Sequence, residues 1–231
     1  IPESAPKIPG LEIAAMYIPC FDVGGDLYDF LKIGDHCIAV VIADVIGKGV
    51  PAAIMMSSFQ GAVRAYVDAE RDKNGIGNII AKLNKMACSS CKAGEFITLF
   101  YAVIDAKAKT ITYCNCGHEP TLLIRGGEIT ELQKGGIVLG VEADAKYETE
   151  TVKLQENDCL LFYTDGLVDA ANFDGDFWGR ERMVKVANDF AEGTAEQMIK
   201  NMLVYRRRFV GLARQFDDTS VIVVKVKKTA E

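Results

Sequence analysis

The segment Cys37–Ala43 (CIAVVIA) constrains this chain more than any other. Seven consecutive apolar residues, several of them β-branched, read as a strand buried on both faces. That strand runs straight into Asp44, then into the turn Gly47-Lys48-Gly49 and Pro51. Proline is favoured at the first helical position, so a helix is expected from about Pro51 to Val67. A carboxylate directly past a buried strand is costly unless something neutralises it. The same placement recurs. Asp165 follows the apolar run ending at Thr164, Asp217-Asp218 precede the terminal strand, and Gly24-Gly25-Asp26, with Asp29 three residues on, forms a Gly/Asp turn. Any one of these aspartates alone reads as a helix cap or a turn residue. Four together point to a shared site, where converging carboxylates would repel one another and raise their own pKa values. A divalent cation relieves both costs. An all-oxygen donor set selects Mg²⁺ or Mn²⁺ over zinc or copper.

Other chemistries fall away on inventory. Only two histidines, His36 and His118, occur in 231 residues, which excludes a histidine-rich dinuclear site. No cysteine is followed six positions later by arginine, which excludes a cysteine phosphatase. A net charge of −6 argues against a nucleic-acid surface as the main business. The longest apolar run, Cys37–Ile46, is well short of the roughly 20 residues needed to span a bilayer. No signal-peptide pattern is present. Seven scattered cysteines favour reduced thiols and a cytoplasmic location. Cys88 and Cys91 form a C-x-x-C pair without a second ligand pair, and read as two small residues near a helix end.

The chain is expected to be α+β. Residues 1–10 hold three prolines and read as a linker from a missing upstream domain; residues 11–228 form one domain. Strands are expected at Leu11–Ile18 and residues 37–43, then helices at 51–67 and 77–88. The stretches 97–104, 110–115, 121–124 and Glu128–Leu132 read as a meander. A strand at Cys159–Tyr163, helices at 180–191 and 194–208, and a strand at Thr219–Val226 complete the chain. Clustered strands with paired helices predict two antiparallel sheets flanked by helix pairs, a four-layer α/β/β/α sandwich.

GGDLYD (24–29), ADVIGKGVPAAIMMS (43–57), FITLFYAVID (96–105), NCGHEPTLL (115–123), GGIVLGV (135–141), LFYTDGLVDAAN (161–172) and DDTSVIVV (217–224) closely resemble the metal-dependent (PPM, type 2C) protein serine/threonine phosphatases. The likeness is to the bacterial branch that contains the stage II sporulation protein E phosphatase and phosphatases regulating sigma factors. It covers nearly the whole chain after the linker, in order. It implies that Asp44 bridges two metals, that the Val45 carbonyl ligates one of them, and that Asp165 and Asp217 ligate the second. Asp26 reaches the metals directly or through water, and Asp169 binds a third, weaker ion. It implies hydrolysis by metal-activated water, without a covalent phosphoenzyme, on a phosphoprotein such as an anti-sigma-factor antagonist. An upstream sensor or receiver domain, or a regulatory partner, is expected to act through the first helix pair. Ile46 departs from relatives that carry histidine or serine there, so the leaving-group proton must come from metal-bound water or elsewhere. His118 is expected to hold the NCGHEP turn.

Two rivals remain open. One is a phosphatase fold used only for protein binding. The other reads Gly47-Lys-Gly49-Val-Pro-Ala52 as a dinucleotide fingerprint with Asp68 and Glu70 downstream. The basic run Arg206-Arg207-Arg208 is expected on a solvated helix face.

Overall fold

The computed structural model describes residues 1–2, 4–69 and 75–228; Glu70, named above, lies outside them. The elements are β1 (Leu11–Ile18), β2 (Asp26–Lys32), β3 (Cys37–Val45), α1 (Val50–Ala69), α2 (Gly75–Ser90), β4 (Ile97–Asp105), β5 (Thr110–Cys116), β6 (Thr121–Arg125), β7 (Glu128–Leu132), β8 (Gly135–Gly136), β9 (Glu150–Lys153), β10 (Cys159–Tyr163), α3 (Asp165–Val168), α4 (Gly179–Asp189), α5 (Ala195–Val210) and β11 (Thr219–Val226). Five strands form one sheet in the order β1-β11-β10-β6-β7. The other sheet runs β2-β3-β4-β5-β8, with β9 also on β5. Among the described residues the one parallel ladder between named strands is β5 with β8, so the βαβ unit of a dinucleotide fold is absent there.

Strand alternation explains the apolar runs. In β3, Ile38, Val40 and Ile42 enter the core between the sheets, while Ala39, Val41 and Ala43 face α1 and α2. β11 divides likewise: Ile222 and Val224 point into the sandwich, Val221 and Val223 toward α4 and α5. Each strand is therefore covered on both faces, and a strict apolar run replaces polar alternation. The helices contribute single stripes. Phe59, Val63 and Val67 recur every four residues on the buried face of α1. α5 starts with a capping box, in which Gln197 N–H donates to Thr194 Oγ1 and Thr194 N–H to Gln197 Oε1. The four-layer α/β/β/α sandwich stands.

Three expectations change. The Gly/Asp turn expected over residues 24–29 ends at Gly25, and Asp26 opens β2, because the consecutive residues Leu27 and Tyr28 are buried in different cores. The expected meander divides: β4 and β5 pair in one sheet, β6 and β7 in the other. The chain changes sheets at residues 117–120, where Gly117 has φ +67°. Finally, the supposed linker carries Ile8, which is buried between the sheets. No helix among the described residues is long and apolar enough to cross a membrane, and all seven cysteines are free thiols.

Candidate metal centre

The acidic residues gather at one end of the sandwich, where the two sheets face each other. Asp26 and Asp44 are directly opposite in the β2–β3 ladder, and Thr98 is opposite Asp44 in β4. Alternation from Tyr28, Ile42 and Phe100 puts this row on the inner face. From the other sheet, Thr164 Oγ1 donates to Asp26 Oδ2 at 2.7 Å and Ser220 Oγ donates to the same oxygen at 2.8 Å. Asp26 is thus tied to both sheets. Burial, then repulsion from Asp218 and Asp165, pushes its pKa up to about 7 despite the two hydroxyl donors. Asp44 rises to about 8, from burial first and then from Asp26, Asp165, Asp217 and Asp218.

The other sheet supplies its carboxylates from strand ends. Asp165 opens the short helix α3; burial, Asp217 and Asp169 raise its pKa. Asp169, at the end of α3, is raised by burial and Asp217. Asp217 lies just before β11, and its Oδ2 accepts from Lys48 Nζ at 2.7 Å. Lys48 also donates to the Phe216 carbonyl. It stands on the turn between β3 and α1, where Gly47 and Gly49 take φ of +103° and +70°, conformations open to glycine at little cost.

Asp218 has a different job from its neighbour. It is buried and accepts from the backbone N–H groups of Cys20 (2.7 Å) and Gly25 (2.8 Å). That clamp explains the glycine pair. A Cβ on Gly24 would sit 2.0 Å from Asp218 Oδ2, and one on Gly25 would sit 2.7 Å from the Val45 carbonyl oxygen. Glycine at residue 25 leaves open the carbonyl that the family resemblance names as a ligand.

A cavity of about 70 Å³ between the sheets is lined by Asp44, Thr98, Gly117, His118, Glu119 and Asp165. His118 does hold its turn: Asn115 Oδ1 accepts its N–H at 2.8 Å, and Asn115 Nδ2 donates to its carbonyl at 2.9 Å. Its ring also pairs with Thr98 Oγ1 at 2.8 Å, and burial lowers its pKa to about 4, so the imidazole is neutral at pH 7. Ile46 is exposed and brings no proton donor.

The structure therefore brings Asp26, Asp44, Asp165 and Asp217 to one mouth, with Asp169 at its edge and Val45 behind Gly25. Asp29 does not join them. Arg64 Nε binds its Oδ2 at 2.6 Å and Gln60 donates to the same oxygen, fastening α1 to β2. Reading the sequence missed Lys48, Thr98, Glu119, Thr164 and Ser220; only the fold makes neighbours of residues so far apart in the chain. Among the described residues, no three carboxylate, imidazole or thiol groups close into a ready-made coordination sphere. The donor chemistry nevertheless fits a hard divalent ion. Several oxygen donors are packed at raised pKa, and a cation would remove the repulsion that raises them.

Two sheets with helix pairs outside and carboxylates at the open end are the architecture of the type 2C phosphatase domains. The SiaA-PP2C domain of Pseudomonas aeruginosa has this fold, with a TM-score of 0.83 over 92% of this chain and 85% of that one at 20% identity. The chain belongs to the Stage II sporulation protein E (SpoIIE) family, whose pattern matches residues 34–227. It is 31% identical to the phosphoserine phosphatase RsbU of Bacillus subtilis, over 85% of this chain and 58% of RsbU. It is 29% identical to protein IcfG of Synechocystis sp., over 97% of this chain and 39% of IcfG. The chain thus spans between about two fifths and three fifths of these relatives' lengths.

Proposed function

We propose that this domain is a metal-dependent protein serine/threonine phosphatase acting on a phosphoserine or phosphothreonine of a regulatory phosphoprotein such as an anti-sigma-factor antagonist. The observation that carries this reading is the set of aspartates from both sheets meeting at one mouth, where among the described residues only Asp217 has a cationic partner, Lys48. RsbU, described as a phosphoserine phosphatase, supports it. In this reading Asp44, Asp165 and Asp217 would hold the cations, with the Val45 carbonyl and Asp26 assisting, and Asp169 would serve a weaker, further one. Mn²⁺ or Mg²⁺ would supply water activated near neutral pH and positive charge opposite the phosphoryl oxygens. The chain does the positioning. Thr164 and Ser220 orient Asp26, and neutral His118 holds Thr98 beside Asp44 without adding charge. With Ile46 in place of a histidine or serine, the leaving-group proton would come from metal-bound water or elsewhere. A cytoplasmic location agrees with the seven free thiols. Control by an attached sensor domain or a partner agrees with the greater length of the relatives.

The test is phosphate release from a phosphoserine protein with Mn²⁺, with Mg²⁺ and after metal removal. Activity confined to the metal-loaded protein is expected. Equal activity after chelation contradicts the proposal, and no activity under any condition favours the binding-module rival.

A further inference from the structure

The basic run near the end of α5 is not uniformly solvated. Arg208 lies over the Tyr205 ring, 5.6 Å from its centroid, and Arg207 is exposed. Arg206 turns inward. Its Nη2 donates to the Gly166 carbonyl at 3.1 Å and to Thr219 Oγ1 at 3.2 Å, while its buried Nε has no hydrogen-bond partner. Arg214, on the loop after α5, has its guanidinium 5.8 Å from the centroid of the Phe21 ring and lines, with Arg206 and Arg207, a cavity of about 60 Å³. Gln215 also lines it, the remaining wall is alanine and valine, and no acidic residue contributes. Among the described residues, none of these three arginines forms an ion pair.

Three arginines line one cavity with no carboxylate in its wall, Arg206 and Arg207 repel each other, and an anion there would offset their charge. Their planar donor forks match the oxygens of phosphate and carboxylate. The volume limits the ligand to one small oxyanion group, far below the roughly 300–1,000 Å³ of a pocket for a drug-sized molecule. We propose that Arg206, Arg207 and Arg214 form an anion pocket for a single phosphate group, free or carried on a phosphorylated chain. The pocket is separate from the metal mouth yet touches its supports. Arg206 holds the carbonyl of Gly166, next to Asp165, and Gln215 Nε2 donates to the carbonyl of Asp217 at 2.6 Å. An anion there bears on the backbone of two expected metal ligands.

Inorganic phosphate titrated by calorimetry into metal-stripped protein is the direct test, since no metal then competes for phosphate. One saturable site is expected, weakened at least tenfold by Arg207→Ala and by Arg214→Ala. Both side chains are exposed, so folding is not at stake. A phosphoserine peptide run in parallel separates the sources: tighter binding of free phosphate assigns the pocket to the released ion, and tighter binding of the peptide assigns it to a phosphorylated chain. No saturable binding by either probe, or the same affinity in both variants, overturns the pocket.

Discussion

Asp26 and Asp29 stand three residues apart on one strand, both almost completely buried, and they meet opposite surroundings. Asp29 faces α1 and meets Arg64 through two hydrogen bonds, at 2.6 and 3.1 Å. Asp158, elsewhere in the fold, meets Arg125 in the same two-pronged way at 2.8 and 2.7 Å. Asp26 faces the sandwich mouth and receives two hydroxyls but, among the described residues, no cation, and with Asp44 it is driven to protonate near neutral pH. Burial alone does not distinguish a structural carboxylate from a functional one. Asp29 and Asp158, each met by an arginine, hold elements together; Asp26 and Asp44 have no cationic partner among the described residues, and in the proposed reading an external cation takes that place.

The comparison breaks most visibly at Asp44. Asp44→Asn is expected to lower metal-dependent phosphate release on the order of 10³-fold, the scale of several kcal/mol of lost charge stabilisation. Its melting temperature without metal should stay level or rise, because repulsion is removed. A loss of both activity and stability would place Asp44 with Asp29. Arg64→Met tests the other side. It should destabilise the fold by about 2–3 kcal/mol in denaturant titrations, below the full cost of breaking a buried pair because the guanidinium is half exposed, with metal affinity nearly unchanged.

The pH dependence follows from the sign of the shifts. In the unfolded chain these carboxylates ionise near pH 3.8, whereas in the fold Asp26 and Asp44 hold their protons to about 7 and about 8. Between those values the folded state binds more protons, so the stability of the metal-free domain should fall as pH rises from about 4 to about 8. Saturating Mn²⁺ should flatten that slope, and thermal melts across the range with and without metal measure it. The smallest effect belongs to Asp169, at the edge of the mouth. Asp169→Ala should raise the metal concentration for half-maximal activity a few-fold and leave the melting temperature in place; an unchanged metal titration would make it a surface residue.

Much of this was legible in the residues, and the gaps have physical causes. β1, β7, β10 and β11 begin and end where the apolar pattern sets them. β2 was hidden because Gly24-Gly25 lead directly into it and Asp26 and Asp29 interrupt its apolar residues, and only the facing strand β3 makes it a strand. The sheet change between β5 and β6 depends on long-range pairing that local composition does not encode. Asp44, Asp165 and Asp217 stood out as candidates because they flank apolar strands, and Asp26 because it follows a glycine pair. Lys48 on Asp217, Thr164 and Ser220 on Asp26, and Arg206 under Gly166 are contacts across the fold, and Asp29 was misplaced because its partner Arg64 lies 35 residues away.

The central claim is that the mouth around Asp44 and Asp26 is built for divalent cations. Calorimetric titration of Mn²⁺ at pH 7, repeated in buffers of different ionisation enthalpy, tests it most directly. The account predicts saturable binding accompanied by proton release, since carboxylates held protonated near neutral pH must ionise to ligate metal. It also predicts that Asp44→Asn abolishes this binding while Asp29→Asn preserves it in the folded fraction. Binding that releases no protons, or that survives Asp44→Asn unchanged, would contradict the account.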